Sequence, residues 1–130
     1  MLELLKTSAV TLVVFLAIDM VWLAFIARQL YAKMLHGLMA PQVNWAAAII
    51  FYALYAVGLS WLIIIPGSHK SFGETIIRGG VFGLLAYATY DLTNLATLKN
   101  WPWQISIIDM IWGTLLTASV TAVVWFILYR

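Results

Sequence analysis

The sequence predicts an all-α, polytopic membrane protein folded as a bundle of four transmembrane helices. Three observations carry this. Of the 130 residues, 65% are hydrophobic and only 9% charged; the mean hydropathy is +0.99; and four apolar runs are each long enough to cross a hydrocarbon core of about 30 Å, which takes roughly 20 helical residues. Soluble globular chains do not have this composition. Spanning β-strands alternate polar and apolar residues, whereas these runs are apolar all round. The expected organisation is one integral membrane domain over residues 1–130, so any chemistry lies in or at the bilayer.

The first run extends from Thr7 to Ala27. Lys6 followed by an apolar stretch is also the pattern of a secretory signal, but Asp19 interrupts the run and no small-x-small cleavage pattern precedes Arg28, which favours a retained helix. In the linker from Arg28 to Val43, Tyr31, Met34, Leu35 and Leu38 fall at helical spacing, which predicts a short interfacial helix between the first two spans. The second run, Asn44 to Ile65, ends in PGSHKSFGE, a turn signal. The third, Ile76 to Leu98, is joined to the fourth, Gln104 to Tyr129, by NWPW, whose Pro and two Trp suit a membrane surface. Trp45, Trp101 and Trp103 are read as interface anchors. Lys6, Lys70, Arg78 and Arg130 fall on the side of the termini and Arg28, Lys33 and Lys99 on the other, so the positive-inside rule places the termini in the cytoplasm.

The chain has no cysteine, which excludes disulfides, thiolate metal sites and a cysteine nucleophile. The net charge of +2 is small and its basic residues are scattered, so nucleic acid is not an expected partner.

Asp19, Asp91 and Asp109 all lie inside predicted spans, while Glu3 and Glu74 lie outside. Counted along helices, Asp19 sits roughly 12 Å, Asp91 about 10 Å and Asp109 about 8 Å from the face that carries Arg28 and Lys99. A carboxylate facing lipid costs at least a few kcal/mol, so all three are expected to face the bundle interior or a watery cavity. No Lys or Arg lies in a span at their depth. Protonation, neutral hydrogen-bond donors or a bound cation must therefore satisfy them. Tyr87, Asp91, Asn94 and Leu98 share one face of the third helix, which continues through Gly79 and Gly83, a small-residue pair suited to close helix approach. Ser106, Asp109, Gly113, Thr117 and Thr121 form a similar ridge on the fourth. Trp22 and Phe15 flank Asp19, and Trp22 and Trp112 are expected to line a cavity. The segments Ile18-Asp19-Met20-Val21-Trp22 and Ile108-Asp109-Met110-Ile111-Trp112 repeat the same local chemistry, with Trp N–H groups as donors to neighbouring carboxylates.

The segments FLAIDMVWL, FYALYAVGL, YATYDLTNLATLKNW and IDMIWGT resemble the four blocks of the bacterial membrane proteins grouped as domain of unknown function 2177. The resemblance covers nearly the whole chain. It marks Asp19, Trp22, Tyr31, Tyr52, Gly58, Tyr87, Thr89, Tyr90, Asp91, Leu92, Thr93, Asn94, Trp101, Asp109, Trp112 and Gly113. It implies an inner-membrane protein, some of whose relatives neighbour lipid-modifying enzymes, and no defined reaction or cofactor.

The leading functional expectation is a site for a lipid-like or other apolar small molecule, with membrane lipid as surroundings. In an enzyme, Asp91 would be the general acid or base, Asp19 and Asp109 would tune it or share a metal with it, and Trp22, Tyr87, Tyr90, Asn94 and Trp112 would line the ligand. No Asp-x-x-Asp or His-x-x-x-His spacing supports the metal version. The alternatives are a proton-coupled transporter acting as a homodimer, and a scaffold in which the aspartates only hold helices together.

Overall fold

The computed structural model describes residues 1–130 as helices joined by short turns, with no strand. The four helices are α1, Leu2–Met34; α2, Trp45–Gly67; α3, Phe72–Thr97; and α4, Trp103–Tyr129. By length and composition α1, α2 and α4 are each sufficient to cross a membrane. Although α3 is less apolar, its 26 residues extend about 39 Å. It lies antiparallel along α4, from Gly79 against Thr121, through Gly83 against Thr117 and Gly113, to Asp91 beside Ser106. Its exposed threonines do not present free hydroxyls to lipid. Thr89 donates to the Leu85 carbonyl at 2.6 Å, Thr93 to the Thr89 carbonyl and Thr97 to the Thr93 carbonyl at 2.8 Å, which satisfies each polar group inside the helix.

The segment expected to form a separate interfacial helix instead continues α1. A π-helical turn at Leu23–Ala27 leads directly into Arg28–Met34, and the helix ends at Met34, three residues before Gly37, where φ is +86°. The resulting α1 of 33 residues is about 50 Å long, well beyond the hydrocarbon thickness. A second π turn, Ser60–Ile64, lies just ahead of Pro66. Proline has no N–H to give and its ring would strike the carbonyl four residues earlier, that of Leu62, so a widened turn removes the clash.

Local signals set the helix starts. Asn44 accepts from the Ala47 N–H at 3.1 Å, and Ser71 from the Glu74 N–H at 3.1 Å, half of a capping box. Hydrogen bonds from Lys70 and Arg78 hold the Glu74 carboxyl below its ordinary value. Their support of the α3 start is therefore present above the usual carboxylate range and fades as pH falls through the lowered value; full exposure keeps it small. Asn100, at φ 59°, turns the chain between α3 and α4, a conformation asparagine tolerates well.

The helices pack in the order α2, α1, α4, α3 around the bundle. Phe15, Tyr55, Leu59, Ile64, Leu116, Val120 and Val124 form the buried core, in the half nearer the termini. Polar ties close that end: Thr11 with Ser60 at 3.0 Å, Trp125 to the Gly67 carbonyl at 2.9 Å, and Thr7 with Tyr129 at 3.1 Å. At mid-membrane Tyr55 meets Thr117 at 2.6 Å, fully buried. Removing that hydroxyl in Tyr55→Phe is expected to cost about 1 kcal/mol, near the upper part of what interhelical bonds contribute in membranes. Detergent-driven unfolding followed by circular dichroism measures it, and an unchanged midpoint would mean that the bond adds nothing.

The half of the bundle that carries the aspartates is looser. Backbone approach between α2 and α3 is concentrated at Ser60–Ile64. Tyr55 then packs on Phe82, ring centroids 5.4 Å apart, and towards Trp45 the two helices part.

Candidate functional site: an aspartate cluster beside an aromatic cavity

Asp19, one turn before Trp22 on α1, is 6% exposed. It accepts from Trp112 Nε1 at 3.2 Å and from Tyr52 Oη at 3.2 Å, one donor on each carboxyl oxygen. The Trp22 ring lies flat on Trp112, centroids 4.4 Å apart and planes within 9°. Thus α1, α2 and α4 meet at Asp19, and the carboxyl is satisfied by neutral donors.

Beyond the two tryptophans lies Asp109. Its Oδ1 accepts from Tyr31 Oη at 2.8 Å. Tyr31 was marked by resemblance alone, and the helical count explains why spacing did not find it. Residues 19 and 31 are twelve apart, about 120° off one face of a regular helix, at about 100° per residue. A π turn absorbs one extra residue, and the shift brings Tyr31 round to the Asp19 side. The repeated Asp-Met-x-Trp chemistry is consequently used unequally. Trp112 serves Asp19, whereas Trp22 Nε1 makes no good hydrogen bond and Asp109 takes its donor from Tyr31.

Asp91 has no such donor. It is 0% exposed, and neither carboxyl oxygen has a hydrogen-bond partner among N–H and O–H groups. The charged group that acts on it is the Asp109 carboxyl on α4. Two neighbouring carboxylates in a dry interior repel each other, and a proton or another cation between them relieves that repulsion. The backbone on either side is pinned: Ser106 Oγ donates to the Asp91 carbonyl at 3.0 Å, and Trp101 Nε1 donates to Ser106 Oγ at 3.0 Å. Trp101 is therefore no surface anchor. It is 8% exposed and braces the α3–α4 turn against the cluster, since its indole N–H has a buried acceptor to reach. Trp45 and Trp103 are exposed, as interface anchors should be.

A cavity of about 340 Å³ lies beside the pair, lined by Phe51, Ala86, Tyr87, Tyr90 and Asp109. Tyr87 stands over Gly113, where a Cβ would fall 2.2 Å from its ring, so the missing side chain seats the tyrosine. Of the five residues expected to line a ligand, Tyr87 and Tyr90 face this cavity. Trp22 and Trp112 instead line a separate shallow groove with Ala17, Ile18, Val21 and Ile26. Asn94 lies one turn beyond Tyr90 and is not among the residues that line the cavity. Phe51 on α2 had no chemical signal in the sequence. Of the three aspartates, only Asp109 lines the cavity. No three His, Cys, Asp or Glu side chains converge as metal ligands.

A family model described as "Predicted membrane protein (DUF2177)" matches residues 4–126 of the chain. Comparison with curated proteins and with solved structures returns no match.

Proposed function

The chain belongs to the DUF2177 family of membrane proteins, and from that premise and the site's geometry we propose that it binds an apolar or lipid-like ligand inside the bilayer and exchanges a proton with it. The Asp91–Asp109 pair holds the proton. Asp109 presents it to the cavity, Asp91 is the buried store behind it, and Tyr87 and Tyr90 orient the ligand. Asp19 is assigned a structural role, because both its oxygens are occupied. The carrying observation is Asp91: fully buried, with no N–H or O–H donor, and set against the one acid that lines an aromatic cavity. Two charged carboxylates in low dielectric repel strongly, and one shared proton removes most of that repulsion. Acid–base chemistry on the bound molecule is the enzymatic form of this reading.

The excess of basic residues on the side of the termini supports an inner-membrane location with both termini cytoplasmic, which puts the cavity in the outer half of the bilayer.

Infrared spectroscopy of the protein in lipid nanodiscs tests the shared proton. A carboxylic-acid C=O band is expected at neutral pH, retained in Asp19→Asn and lost in Asp91→Asn. A wild-type spectrum with carboxylate bands alone would refute the proposal.

A further inference from the structure

We infer that the ligand is a membrane-resident, lipophilic monocation, which reaches Asp109 sideways from the lipid between α2 and α3 and displaces the shared proton. This rests on the shared-proton reading above and adds the charge and the route.

The route follows from the packing. The α2–α3 seam is closed at Ser60–Ile64 and by Tyr55 on Phe82. Past that level, the cavity wall consists of Phe51 from α2 and Tyr90 from α3, 47% and 57% exposed. Both face the lipid side of a parted seam. A molecule dissolved in the bilayer needs no aqueous path to enter there.

The charge follows from what surrounds Asp109. From α1 come Tyr31 and, further off, Asp19, which Tyr52 of α2 occupies; from α3, Tyr87, Tyr90 and Asp91. None is basic, and the ion pairs of this protein, Lys70–Glu74 and Arg78–Glu74, lie at the opposite end. The cluster is acid in excess with no resident counter-ion. An anionic head would meet repulsion at low dielectric. A neutral head would leave Asp91 and Asp109 dependent on their proton. A single positive charge replaces that proton, and the Phe51, Tyr87 and Tyr90 rings on the wall are the surface that favours a cation. The charges balance: one cation enters from the lipid, one proton leaves to solution, and the pair keeps a net charge of one negative.

The test uses the full chain in nanodiscs, with empty discs as reference, and scintillation proximity binding of tetraphenylphosphonium. Tetraphenylborate serves as the anion of matched shape. The expected result is saturable phosphonium binding, with no matching borate binding, that tightens by up to about tenfold per pH unit as pH rises, the signature of one displaced proton. Asp109→Asn is expected to abolish the pH slope and weaken binding at least about tenfold, while Asp109→Glu retains the slope. If neither Asp109 variant folds, the charge preference and slope of the wild type still decide. Borate binding as well as phosphonium, or phosphonium binding without a pH slope, would overturn the inference. No phosphonium binding with the carboxylic-acid band present would overturn the cation and leave the shared proton standing; absence of both would overturn both.

Discussion

Asp19→Ala is expected to cost about 3 kcal/mol of stability, whereas Asp91→Ala is expected to stay within about 1 kcal/mol of the parent protein. The two residues are the same amino acid, nearly equally buried, and only their partners differ. Removing the Asp19 carboxyl strands two donors, Trp112 Nε1–H and Tyr52 O–H, and each unpartnered donor in a dry interior forfeits about 1–3 kcal/mol. Removing the Asp91 carboxyl strands nothing but its neighbour Asp109, which keeps the Tyr31 hydrogen bond. The loss of contacts and of the shared proton at Asp91 is offset by deletion of two buried oxygens that no amide, indole or hydroxyl group satisfies and by the end of the repulsion with Asp109. Unfolding in mixed anionic and neutral detergent micelles, read by circular dichroism and tryptophan fluorescence, compares the two directly. Equal losses at both positions would mean that Asp91 is a structural tie like Asp19, and the assignment of separate roles would fail.

That contrast also shows what the sequence made legible. Four helices and their succession along the chain follow from hydropathy, and the helices form where the runs are. So does the α3–α4 ridge, because small residues at Gly79, Gly83, Gly113, Thr117 and Thr121 recur at helical spacing and then meet each other. An indole donor for a carboxylate was legible and is found at Trp112, whereas the other donors were hidden for two physical reasons. One is that a π turn breaks the regular count, so Tyr31 reaches a face that 3.6 residues per turn denies it. The other is that spacing along one helix cannot tell which neighbour supplies a partner. Tyr52 reaches Asp19 from α2, and Trp101 turns inward to Ser106 instead of lying at the surface. The lining of the cavity is subject to the same limit. Trp22 and Trp112 share the aspartates' depth, yet they stack on each other and leave the cavity to Phe51, Tyr87 and Tyr90.

Gly83→Ala is expected to destabilise the bundle by about 3 kcal/mol, while Gly80→Ala, three positions earlier on the same helix, is expected to be neutral or slightly stabilising. A Cβ on Gly83 would fall 2.3 Å from the Gly113 carbonyl oxygen and 2.5 Å from Thr117 Oγ1. A backbone carbonyl in a helix cannot swing aside, so α3 and α4 must separate along a ridge that van der Waals contact holds together in lipid. At Gly80 the added methyl meets Ala118 at 3.6 Å and Thr114 at 3.7 Å, ordinary contact, and alanine is the better helix former by about 1 kcal/mol. The pair therefore separates close packing from helix propensity in one experiment. Gly113→Ala extends the argument to the site, because its methyl would occupy the position of the Tyr87 ring, 2.2 Å from Cγ. Tyr87 then has to turn into the cavity it lines, and ligand binding is expected to weaken more than stability does. If Gly80→Ala and Gly83→Ala shift the unfolding midpoint equally, the α3–α4 contact does not run along this ridge, and the placement of Asp91 beside Asp109 loses its support.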